Sequence, residues 1–120
     1  MSNEAFDDRY ELREFAPGTD DKGAPNAETA PWMQAVGMGF HEADPDAEGA
    51  ARMASHFIAD EETFLGVYVR KPFPGSVDET WPAGTFTWFR KALSWGDGSS
   101  VDTQAISAVT VRPTERRRGI

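Results

Sequence analysis

The sequence predicts an α/β domain of the α+β kind: a mixed, mostly antiparallel sheet with two helices, in the order β-α-α-β-β-β. Three observations carry this. Segments 32–40 and 47–58 repeat apolar residues with a helical period. Runs 63–70, 85–95 and 104–111 are rich in Val, Phe, Trp and Thr and are separated by Pro/Gly turn chemistry. Consecutive strands joined by turns pair antiparallel, and two helices suffice to cover one face of such a sheet.

Residues 10–15 (YELREF) alternate imperfectly and read as a first strand that Pro17-Gly18 ends; the polar stretch 18–28 is a loop. Trp32, Ala35, Val36, Gly39 and Phe40 share one helix face, with Thr29 as the expected cap and Pro31 in the first turn. Gly37 and Gly39 weaken this helix by about 1 kcal/mol each relative to Ala. It should fray near His41, and its two glycines would let a backbone or a substrate approach.

Asp44-Pro45-Asp46 reads as the next helix start, with Asp44 capping and Pro45 in the first position. Ala47, Ala50, Ala51, Ala54, Phe57 and Ile58 form its apolar stripe. The acids Asp60-Glu61-Glu62 disfavour a helix C-terminus, so it should end near Ala59. Strand 63–70 follows and stops at Pro72-Phe73-Pro74-Gly75. In strand 85–95 the alternation slips near Phe89, which permits a bulge. Gly96 to Ser100 is a turn. Strand 104–111 is apolar at nearly every position, which predicts a central place in the sheet.

The chain's 120 residues amount to one domain, with residues 1–9 as a flexible, acidic tail. Net charge is −8 but uneven: residues 1–62 hold 15 acidic and 4 basic side chains, and residues 63–120 hold 5 and 8. The acidic half suits a cationic ligand and the basic tail an anionic one. A negative chain argues against nucleic acid as partner. Neither a signal peptide nor an apolar run of about 18 residues is present, so no membrane is expected and the cytoplasm is the expected compartment. With no cysteine, thiol catalysis and thiolate metal sites are excluded. His41 and His56 lack suitable partners, so no metal is expected. His41 is a candidate base because histidine titrates near neutrality, although a helix-end histidine more often faces solvent. Gly37-Met38-Gly39 follows no strand and is not a dinucleotide fingerprint.

The most informative segment is the last. Ala105 to Val111 leads into Arg112-Pro113-Thr114-Glu115-Arg116-Arg117-Arg118-Gly119-Ile120. Alone, three arginines make a solvated tail more often than a site. After a buried strand and a proline turn they can form a loop whose N–H groups hold phosphate.

The element order and this segment resemble a GNAT acetyltransferase, most closely the Eis-like (enhanced intracellular survival) branch, whose members acetylate amines. The family's Gln/Arg-x-x-Gly-x-Gly/Ala signature is matched up to its last position, which is missing: Arg116 takes the first, Arg117 and Arg118 the variable pair, Gly119 the first glycine and Ile120 the next. The likeness implies acetyl-CoA as cosubstrate, with no metal. It implies that Val109, Thr110 and Val111 pair with the pantetheine arm and that the N–H groups of Arg117, Arg118 and Gly119 hold the diphosphate. The backbone of Val109 or Val111 would stabilise the oxyanion. It sets a substrate mouth on the first two helices, making Trp32, Phe40 and His41 substrate candidates, although an aromatic stripe is more often core. Glu28, Glu42, Asp44 and Asp46 would draw a polyamine- or aminoglycoside-like amine to it.

The family completes its site with a helix, a parallel strand and a tyrosine beyond the glycine. The expectation is therefore a partial GNAT domain over 10–120, an N-terminal fragment inactive alone, of a parent that is a candidate homo-oligomer. Its last strand should be an exposed apolar edge. The alternative is a non-catalytic acyl-CoA-binding or protein-interaction module.

Overall fold

The computed structural model describes residues 8–60 and 62–120. Most of the expected 1–9 tail, and Glu61 at the helix exit, lie outside the described residues.

The elements are β1 (Tyr10–Phe15), α1 (Thr29–Gly39), α2 (Ala47–Ala59), β2 (Thr63–Val69), β3 (Gly84–Ser94) and β4 (Ser100–Val111), then a 3-10 turn at Pro113–Glu115. The strands form one sheet in the order β1-β2-β3-β4, and every pairing is antiparallel. The β-α-α-β-β-β order is as expected.

Both helices cover one face, because Phe15 and Phe64 point there together (Phe15 pairs with Phe64) and meet Trp32, Met33 and Ala54. Trp32 is fully buried at the centre. Its ring centroid lies 5.2 Å from that of Phe64, 5.6 Å from Phe57 and 5.9 Å from Phe15. Its Nε1–H donates to the Leu65 carbonyl at 2.9 Å, so its polar atom is satisfied. On the opposite face Tyr10, Val67 and Val69 are covered by Phe73, Val77 and Ala83, which belong to the segment between β2 and β3, and by Ile120.

Several local expectations shift. The caps move because side-chain geometry selects a different residue. Asn26 serves α1 by accepting the Thr29 N–H on Oδ1 and the Ala30 N–H on its carbonyl. Thr29 lies inside the helix and its hydroxyl accepts from the Gly18 N–H, pinning the loop. For α2 the cap is Asp46 rather than Asp44, since its Oδ1 takes the Gly49 N–H at 2.7 Å. The helix ends at Ala59, as read.

α1 ends in a Schellman turn. Glu42 N–H donates to Gly37 O and His41 N–H to Met38 O, with His41 in the left-handed region at φ 57°. A non-glycine residue there costs roughly 1–2 kcal/mol. His41→Gly should therefore stabilise the fold by about 0.5–1 kcal/mol, read as a higher Tm in thermal unfolding; an unchanged or lower Tm contradicts this.

β4 begins at Ser100, four residues before the expected start, because the β3–β4 hairpin continues to Ser94↔Ser100. It is the edge of the described sheet, which meets the expectation of an exposed apolar edge and not that of a central strand. Ala108 packs on the helix-side core, whereas Ile106 and Val109 face a groove and open space and are exposed. The bulge lies on β4 instead of near Phe89. Between Thr85↔Thr110 and Thr87↔Ser107, Ala108 and Val109 together oppose the single residue Phe86, and Ala108 has φ 53°.

Candidate functional site

Two buried hydroxyls on β3 hold the bulge. Thr85 Oγ1 donates to the Ala108 carbonyl at 2.7 Å and shares a 2.6 Å bond with Thr110 Oγ1; Thr87 Oγ1 donates to the Ser107 carbonyl at 3.3 Å. The extra residue thus has its carbonyl satisfied from the side, without a ladder partner. Thr110 turns to the helix face, where Gly39 meets it. A Cβ on Gly39 would fall 2.4 Å from Thr110 Cγ2, so only glycine lets the end of α1 rest on the bulged strand. Of the two glycines in α1, this is the one that serves close approach; Gly37 faces open space.

Val109 and Val111 lie on the other face. Arg112 N–H donates to the Ala83 carbonyl, and hydrogen-bonded pairs alternate along an antiparallel ladder. Val111, paired with Gly84, consequently turns its N–H and C=O to the open edge. Arg116 Nε already donates to that carbonyl at 3.4 Å. An apolar groove of about 350 Å³ runs here between Phe86, Ile106, Val109, Val111, Gly119 and Ile120. Ile120 seats against Gly84, where a Cβ would lie 2.7 Å from its Cγ2.

After the 3-10 turn the backbone enters the left-handed region twice, at Arg117 (φ 64°) and Gly119 (φ 91°). Arg116 and Arg117 are exposed. Arg118 is engaged: its guanidinium stacks on Phe73 at 4.6 Å and its Nε lies 3.8 Å from Glu115 Oε2. Arg112 belongs to the fold. Its Nε donates to Pro82 O at 2.7 Å, its plane lies over Trp81, and burial lowers its pKa.

Glu115 has no exposed surface. Oε2 accepts from the Tyr10 hydroxyl at 2.7 Å and Oε1 from the Val77 N–H at 3.1 Å. Burial, and then the bond and charge of Glu115, push Tyr10 up to about 12, so the hydroxyl remains a donor near neutrality. Sequence reading assigned Glu115 no role. The only hint is a carboxylate embedded in a basic run, which looks the same whether it is buried or solvated.

The substrate candidates do not converge. Trp32 is sealed in the core, while Phe40 and His41 are exposed beyond the end of α1. A separate cleft of about 380 Å³ opens beside α1 and α2, walled by Met33, Gly37, Pro45, Met53 and Trp81, with Glu42 and Asp44 also in its lining. Of the four acids expected at a substrate mouth, Glu42 and Asp44 line this cleft; Glu28 and Asp46 do not, and Asp46 caps α2. Among the described residues no group of three or more His, Asp or Glu side chains could hold a metal, and no helix is long and apolar enough to cross a membrane.

Over 94 residues the chain is 35% identical to an uncharacterised N-acetyltransferase of Streptomyces griseus, an alignment covering 78% of this chain and 20% of that protein. It is 34% identical over 94 residues to another uncharacterised N-acetyltransferase, from Streptomyces avermitilis, with the same coverage. The chain spans about a fifth of the length of the curated relatives it matches. No family model matches it. No solved structure matches it either.

Proposed function

We propose that this chain carries the coenzyme-binding strand and turn of an acetyl-CoA-dependent N-acetyltransferase, of GNAT type and Eis-like, acting on a small amine in the cytoplasm. The observation that carries the reading is the bulged β4 running directly into an arginine turn with two left-handed residues. The names of the Streptomyces relatives support it.

The residues present fit the coenzyme. The apolar groove beside Val109 and Val111 suits the pantetheine arm, and the outward N–H of Val111 offers it a strand-like partner. Arg116 and Arg117 supply exposed charge for the diphosphate, and Gly119 lets backbone approach it without a side chain. Bound acetyl-CoA supplies an activated thioester. The N–H groups of Val109 or Val111 then serve as donors to charge developing on the acetyl oxygen. The cleft walled by Met33, Met53 and Trp81 receives the amine, and Glu42 and Asp44 attract its cationic form. The amine must be neutral to react, so it loses a proton before attack.

Thermal unfolding with acetyl-CoA tests this. At a ligand concentration 100 times Kd, binding should stabilise the chain by about 2.7 kcal/mol. Arg116→Ala with Arg117→Ala should raise Kd about tenfold or more. No shift in Tm at millimolar acetyl-CoA would sink the reading. Coenzyme binding without turnover of any amine by the full-length protein would instead favour a non-catalytic module.

A further inference from the structure

One carboxylate joins three distant parts of the chain. Glu115 ends the 3-10 turn, and its two oxygens accept from Tyr10 at the start of β1 and from the Val77 N–H in the segment between β2 and β3. A buried carboxylate is costly unless its hydrogen bonds are made, so full burial here marks a constrained site rather than a convenient one.

What it constrains follows at once in the chain. Arg117 adopts a left-handed conformation that a non-glycine residue avoids, and such a conformation persists only where its surroundings over-determine it. Both flanks of Arg117 are held. Glu115 is anchored on one side. On the other, Arg118 is drawn to Glu115 at 3.8 Å and stacked on Phe73 at 4.6 Å. All three arginines are exposed, and they differ in what they touch: Arg118 stacks on Phe73 and lies beside Glu115, and Arg116 reaches the Val111 carbonyl.

We infer that Glu115 is a positioning residue for the arginine turn: fixed by the Tyr10 hydroxyl and the Val77 N–H, it imposes the conformation in which residues 116–119 receive a diphosphate. The identity of the ligand rests on the acetyl-CoA reading above; the constraint on the turn does not.

Two measurements on Glu115→Gln and Tyr10→Phe separate these. The first is tryptic cleavage within 116–118, without ligand, followed by intact mass and normalised to cleavage at Lys22 in its exposed turn. The second is coenzyme A affinity by calorimetry. Both variants should stay folded by circular dichroism, cleave within 116–118 at least tenfold faster than the parent chain, and bind coenzyme A about tenfold more weakly. A role confined to general stability would raise cleavage at Lys22 equally and leave the ratio unchanged, which overturns the inference. Coenzyme affinity within twofold of the parent overturns it as well. If Glu115→Gln does not fold, Tyr10→Phe, which removes the hydroxyl that donates to Glu115, decides. If the parent chain does not bind coenzyme A, the acetyl-CoA reading fails, and the cleavage ratio still decides whether Glu115 holds the turn.

Discussion

Trp32→Ala should lower the stability of the chain by about 3–5 kcal/mol, enough to leave much of it unfolded at 37 °C. Trp32 is the contact point of α1, α2 and the sheet, with three aromatic neighbours within 6 Å, and truncation opens a cavity among rings already packed on one another. The Leu65 carbonyl also loses a donor. Trp32→Phe keeps most of the volume and should cost roughly half as much. Chemical denaturation measures both. A loss under 1 kcal/mol for Trp32→Ala would mean that the indole is a surface feature, as a substrate mouth would need, and not the keystone of the core.

The second large effect compares one substitution at two neighbouring glycines. Gly39→Ala should destabilise by about 1–3 kcal/mol, because its Cβ would lie 2.4 Å from Thr110 Cγ2 and 2.6 Å from Thr110 Cβ. Thr110 cannot retreat freely, since its hydroxyl is bonded to Thr85. Either α1 or the bulge must move, so acetyl-CoA affinity should fall along with stability. Gly37→Ala meets nothing within 4 Å and should stabilise by up to about 1 kcal/mol through helix propensity. Opposite signs in Tm are the expected result. Equal stabilisation by both would show that α1 does not rest on β4.

Much of the architecture was legible because it is written in local chemistry. The helical period of 32–40, the exit of α2 at Ala59 and the turn residues before β3 concern neighbours a few positions apart. The errors came where one local signal fitted two outcomes. Asp44 and Asp46 both resemble a cap, and only the direction of the chain after Pro45 selects Asp46. An apolar β4 resembles a central strand, yet the same side chains line a groove at an edge. The slip near Phe89 permits a bulge, yet the bulge forms at Ala108 and Val109, because a bulge is a mismatch between two strands and neither sequence alone locates it.

The candidate site divides the same way. Residues 109–120 stand out by composition, and the sequence by itself determined that a β-strand would lead into a proline turn, three arginines and a glycine. It also determined the acidic and basic halves of the chain. Only the tertiary structure decided that Trp32 is core, that Arg118 stacks on Phe73 beside Glu115, and that Glu115 is buried against a tyrosine 105 residues away. The reason is physical: periodicity and turn preference act over a few residues. Burial and charge pairing depend on which distant surfaces the folded sheet brings together.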